Sequence, residues 1–209
     1  MMDCAFFFRA TASSDAMRNA IEECNQVLLE DFGPDHELLP EHAPDLLVVC
    51  RDPWTNKAIG LLTLHHTPET RAWEMGTMSA NAMYSHTFVL DEIMRETPAA
   101  LMRTMQEDTA AAWIVMRVKK HDKRRIARLA RLGLEAPKHF LIGVLSNEGY
   151  IPFDPFDEVL LKLRLCPPAL VRLEMEQRSA HKQLAGLAHG GGEEPAAMTV
   201  QAAADGTCG

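Results

Sequence analysis

The sequence predicts an α/β (α+β) fold, and three observations carry that expectation. Runs with β character alternate with runs of helical period along most of the chain. D-L-L-V-V-C-R-D and A-I-G-L-L-T-L-H-H flank the turn P-W-T-N-K, which is the pattern of an antiparallel hairpin. A chain of 209 residues with 47% hydrophobic content can bury one full core and leave residues for an extension. We therefore expect one domain over residues 1–165 and a C-terminal helix with a low-complexity tail over 166–209.

In chain order, C-A-F-F-F-R-A-T reads as a first strand. S-S-D then caps a helix running to about Asp31, with Ala16, Ala20, Ile21, Cys24, Val27 and Leu28 on its apolar stripe. F-G-P-D ends this helix, and a proline-punctuated loop leads to Pro44 and the hairpin. T-P-E-T makes a second turn before R-A-W-E-M-G-T-M-S and M-Y-S-H-T-F-V-L, the latter predicted as a central strand. A helix from about Pro98 to Ala110 is expected next, because a first-turn N–H has no intrahelical partner for proline to remove. A-A-W-I-V-M-R-V is a strand, and D-K-R-R-I-A-R-L-A-R-L-G-L a short helix stopped by Gly133. K-H-F-L-I-G-V-L-S and D-E-V-L-L-K-L-R-L form an expected closing antiparallel pair. Residues 168–188 can form a helix on Leu170, Leu173, Leu184 and Leu187, whereas the tail after it has the composition of a disordered segment.

The net charge of -8 argues against general binding to nucleic acid or an anionic membrane. Charge is nonetheless segregated: Arg117, Lys119, Lys120, Lys123, Arg124, Arg125, Arg128 and Arg131 crowd one segment with only Asp122 against them. That run suits a phosphate-bearing ligand, an acidic partner surface, or simply a solvated helix face. Five scattered cysteines without a C-x-x-C pair read as reduced cytoplasmic thiols. No membrane span or leader is expected, and no Cys/His spacing suggests a metal. His36, His42, His65 and His66 read as surface histidines, and Met75, Met78, Met83, Met94, Met102, Met105 and Met116 as gap-filling core.

The segment R-E-T-P-A-A, Arg95 to Ala100, is expected where a strand hands over to a helix, a position suited to phosphate. With the order of elements, it resembles the GNAT N-acetyltransferase fold over roughly residues 5–165. The resemblance implies a mixed, mostly antiparallel twisted sheet flanked by helices. In that family the central strand is followed by Q/R-x-x-G-x-G/A, whose backbone N–H groups cradle the pyrophosphate of acetyl-CoA. Here Pro98 stands for the first glycine. The family's later N-x-x-A-x-x-L-Y-x-x-L-G-F is similar to D-K-R-R-I-A-R-L-A-R-L-G-L, with Leu129 in place of the tyrosine and Asp122 in place of the Asn. Pro98 cannot donate a backbone N–H, and Leu129 has no proton to give a departing thiolate.

The resemblance therefore implies a catalytically degenerate scaffold that takes no cofactor and serves as a structural or interaction component of a larger assembly. Its partners would be further copies or other proteins, as in the GNAT-like virion proteins of short-tailed phages, in the host cytoplasm or the particle. The alternative is an acetyl-CoA-dependent N-acyltransferase with an atypical site. In that case Arg95, Thr97, Ala99, Ala100, Lys119 and Lys120 would meet the cofactor, and His86, Tyr84 or Glu74 would move protons. The plainer readings are a structural histidine for His86 and a solvated carboxylate for Glu74. An open cleft beside Met94 and Leu129 would favour the enzyme, and a filled one the module.

Overall fold

The computed structural model describes residues 2–39, 44–81, 83–84, 86–136, 154 and 156–189. The chain divides into two units, Met1–Val171 and Arg172–Gly209. The first holds strands β1 (Asp3–Phe8), β2 (Leu46–Arg51), β3 (Ala58–Thr67), β4 (Ala72–Ala80), β5 (Ala112–Lys119) and β6 (Glu158–Leu165). Its helices are α1 (Ser14–Phe32), α2 (His86–Thr104) and α3 (Lys123–Arg131). Helix α4 (Pro168–His189) begins in the first unit and supplies the described part of the second. The tail from residue 190 and the expected strand K-H-F-L-I-G-V-L-S lie outside the described residues.

Among the described residues the six strands form one sheet in the order β1-β2-β3-β4-β5-β6. Every neighbouring pair is antiparallel except β4 and β5, which run parallel. The sheet is thus mixed and mostly antiparallel, with helices on both faces, as a GNAT fold requires. Alternation along β2 shows how the faces are assigned. Leu46, Val48 and Cys50 join the cluster under α2, and Leu47 and Val49 join the cluster under α1.

Local signals explain several elements. Ser13 caps α1, its hydroxyl accepting from the Ala16 N–H at 3.2 Å. Asp122 caps α3 in the same way, accepting from the Arg125 N–H at 2.9 Å. Gly133 follows α3 with φ of 90°, a left-handed conformation that glycine adopts without steric cost.

One predicted element is corrected. From His86 onward, M-Y-S-H-T-F-V-L is the first part of α2, and the central strand that precedes a helix is β4. Tyr, Thr, Phe and Val gave the segment β character, but the positions that decide are Val89, Leu90, Ile93, Met94, Thr97, Ala100 and Leu101. All seven are buried, and their spacing of three and four is helical. Burial of that stripe against the sheet outweighs local propensity.

With this shift, R-E-T-P-A-A is no strand-to-helix turn; it lies within α2. Pro98 therefore removes an internal hydrogen bond, the one its N–H would have given the Met94 carbonyl, at a cost of about 3 kcal/mol in an unsupported helix. Beside it, the buried Thr97 hydroxyl donates to the Ile93 carbonyl at 2.6 Å.

Candidate functional site

The parallel pair positions the site. Register between β4 and β5 runs only from Ala72–Trp113 to Glu74–Val115, although β4 continues to Ala80 and β5 to Lys119. The strands part beyond those three pairs and open a wedge at their C-terminal ends. Helices α2 and α3 begin just past those two ends. Outside the carboxyl ends of parallel strands is where open α/β sheets hold ligands.

A cavity of about 580 Å³ occupies this place. Its apolar side is Met78 of β4, Leu90 and Met94 of α2, and Leu129 and Leu132 at α3. Its polar side is four guanidiniums, Arg124, Arg125, Arg128 and Arg131, with the Asp122 carboxylate beside them. Helical spacing puts Arg124, Arg128 and Arg131 in one stripe and leaves Leu129 to turn into the core, where it is 0% exposed. Arg128 closes onto α2, its Nε and Nη2 donating to Asp91 Oδ1 at 3.0 and 2.9 Å. Burial pushes the Arg125 guanidinium down from its ordinary value, and the Asp122 carboxylate opposes that shift. Among the described residues, the side chains of Arg124, Arg125 and Arg131 make no hydrogen bond or ion pair. Three guanidiniums thus line a cavity that also holds the Asp122 carboxylate.

Between β4 and α2 the described residues are Asn81, Met83 and Tyr84, and sequence reasoning missed this connection. It contains no glycine, and its described amides are already used. The Asn81 N–H donates to the Ile59 carbonyl at 2.8 Å, the Met83 N–H to Asn81 Oδ1 at 2.9 Å, and the Tyr84 N–H to the Asn81 carbonyl at 3.0 Å. The Asn81 amide nitrogen in turn donates to Glu30 of α1. An asparagine at the end of a β-like run, whose side chain can close an Asx turn, was the available signal.

The predicted site residues are dispersed. Arg95 pairs on α2 with Glu92 at 2.7 Å and Glu96 at 2.9 Å, and lines a second hollow of about 410 Å³ with Phe88, Pro98 and Arg131. Thr97 and Ala100 are buried and Ala99 is half-buried, all within the helix rather than at a turn. Lys119 ends β5 between Asp157 at 2.8 Å and Glu158 at 3.1 Å, and the exposed Lys120 donates its N–H to the Asp157 carbonyl. His86 is the first residue of α2 rather than a strand residue. Burial and the Asp52 charge push the Tyr84 phenol up. Glu74 is ion-paired with Arg117 of β5, not left to solvent. It also lies six residues before the end of β4, about 20 Å from the turn at strand rise.

These residues fit only part of an acyl-CoA. The guanidiniums suit its phosphates, since arginine gives planar, charge-assisted donors, and the apolar wall suits an uncharged chain. The described turn amides cannot cradle a pyrophosphate, because each is spent. Leu129, which lines the cavity, is a hydrocarbon and offers no proton. Among the described residues no helix is long and apolar enough to cross a membrane, and no cluster of three His, Cys, Asp or Glu side chains could hold a metal.

No family model and no curated protein matches the chain. Solved structures do. The chain is similar to a spermidine/spermine N-acetyltransferase from Vibrio cholerae, with 11% identity over 82% of this chain and 99% of that one and a TM-score of 0.51. An acyl-CoA N-acyltransferase from Pseudomonas aeruginosa gives 10% identity over 78% and 99%, with a TM-score of 0.49. A GNAT-family acetyltransferase from Bacillus anthracis gives 13% over 78% and 98%, with a TM-score of 0.43. At such identities the likeness is one of architecture. The molecule is a GNAT-fold protein.

Proposed function

We propose that this GNAT-fold protein performs no acyl transfer and works as an interaction component of a larger assembly. The virion of a short-tailed phage is the assembly type suggested by the resemblance in the L-G-L segment. The observation that carries the proposal is the fully buried Leu129 where a proton donor would be needed. The glycine-free connection after β4, whose described amides are spent, supports it. So do two exposed apolar side chains at the same end of the sheet, Trp54 at 89% and Met83 at 90%. The test is incubation of the full chain with acetyl-CoA and a panel of amines while free thiol is followed. We expect no thiol release above the rate without protein; amine-dependent release would refute the proposal.

A second reading, an N-acyltransferase, is favoured by one observation: the cleft beside Met94 and Leu129 is open, not filled. In this reading Arg124, Arg125 and Arg131 hold the phosphates, each charge-assisted bond contributing about 1.5–3 kcal/mol. Acetyl-CoA supplies the activated acyl group when bound. Leu90 and Met94 screen the chain from water, and His86 takes the proton of the amine. Calorimetry separates the readings by affinity: tight, micromolar binding of acetyl-CoA goes with the enzyme, and weak, salt-sensitive binding goes with the scaffold.

A further inference from the structure

Cys4 of β1 and Cys50 of β2 are partners in the antiparallel ladder. Facing residues in such a ladder have Cα atoms about 4.5–5.5 Å apart. That separation lies inside the range of about 4.4–6.8 Å that a disulfide spans. Register alone is not enough; both side chains must leave the same face of the sheet. They do. Cys50 belongs to the cluster under α2, and Met2, Cys4, Phe6 and Phe8 pack against that cluster, while Phe7 packs on the α1 side. On that face Cys50 Sγ lies 3.7 Å from Met2 Sδ.

The pair is asymmetric in a way that suits thiol exchange. Cys4 is half-buried on the outermost strand, and Cys50 is 0% exposed. Interaction with the neighbouring Cys50 thiol lowers the Cys4 pKa from its ordinary value, and the same interaction, with burial, raises Cys50. By contrast Cys24 sits alone in α1, pushed up to about 12 by burial.

We propose that Cys4 and Cys50 form a reversible cross-strand disulfide, closed by exchange with a small disulfide such as oxidised glutathione. The Cys4 thiolate attacks one sulfur of the oxidant, forming a mixed disulfide and releasing one glutathione thiolate. Cys50 then attacks the Cys4 sulfur, its proton going to the second departing glutathione thiolate. Two protein thiols become one disulfide and one glutathione disulfide becomes two thiols, so electrons and protons balance. The bond staples the outermost described strand to its neighbour and closes a loop that contains α1, which constrains the unfolded chain.

The test equilibrates the full chain with reduced and oxidised glutathione at several ratios, blocks free thiols, digests, and maps linkages by mass spectrometry. We expect a single Cys4–Cys50 linkage, two hydrogens lighter, that grows with the oxidised fraction, reverses with dithiothreitol and raises the melting temperature by several degrees. Cys24 stays free for labelling after unfolding. Cys50→Ala traps glutathione on Cys4; if that variant does not fold, the wild-type map decides. Glutathione accumulating on Cys4 of the wild type without closure, a linkage to Cys166 or Cys208, no linkage, or an unchanged melting temperature would each overturn the proposal.

Discussion

Arg128 of α3 grips Asp91 of α2 with two N–H groups on one carboxylate oxygen, at 3.0 and 2.9 Å. The contact joins the two helices that wall the cleft, so it sets the width of the opening over the parted strands. Arg128 is 18% exposed at the side chain and Asp91 43%, which leaves the pair partly screened by solvent. In a double-mutant cycle with Arg128→Ala and Asp91→Ala, we expect a coupling of about 0.5–1 kcal/mol that shrinks with added salt. Urea denaturation of the four proteins measures it, and strictly additive effects would show that the bridge does not hold the helices.

Leu129 is a fully buried core residue. Leu129→Ala should cost about 2–4 kcal/mol by opening a cavity in the buried cluster that also holds Leu101 and Ile114. Leu129→Tyr should overpack the same space and cost about 1–3 kcal/mol. Denaturant midpoints check both values. A Tyr variant as stable as wild type would mean that the position has room for the family's phenol.

Helix α2 sits very close to the sheet at Gly60 of β3. A Cβ built there would collide with Val89 Cγ1 and lie 3.2 Å from Ile93 Cδ1 and 3.3 Å from the Ser79 carbonyl. Since the helix stripe and the strand backbone both resist movement, Gly60→Ala should destabilise by about 1–3 kcal/mol. A neutral effect in the same denaturation experiment would place α2 farther from β3.

Acid should weaken the fold through carboxylates that the native state holds ionised. Asp52 is lowered by the Thr55 N–H at 2.7 Å, with help from the Trp54 N–H at 2.9 Å, and Asp108 by the Arg71 guanidinium at 2.6 Å. A native pKa below the unfolded one gives stability that is complete above about pH 4–5 and is lost as pH falls through the native value. Urea midpoints should therefore be flat from pH 7 to about 5 and fall below that. Asp108→Asn should flatten part of that slope; an unchanged slope would remove Arg71 as the cause.

Much of the architecture was legible from local chemistry. The hairpin of β2 and β3 stands where Pro53 and Asn56 interrupt two β-rich runs, and α3 lies between its Asp122 cap and Gly133. Helix α2 was not. Its first turns are rich in residues that favour strands, and Pro98 invites a boundary that tertiary packing instead absorbs inside the helix. The error moved the expected strand-to-helix connection from the segment after β4 to Arg95–Ala100. The arginine run was visible in sequence, but a linear pattern does not tell which helix face meets a cavity. That depended on the parting of β4 and β5, a property of pairing register rather than of any one segment.

The most direct measurement of the central claim is free-thiol release from acetyl-CoA in the presence of amines, run beside calorimetry with acetyl-CoA on wild type and Arg125→Ala. We expect no release, with weak binding that fades further in salt and in the variant. Micromolar binding together with steady, amine-dependent release would show that the cleft is a working acyltransferase site.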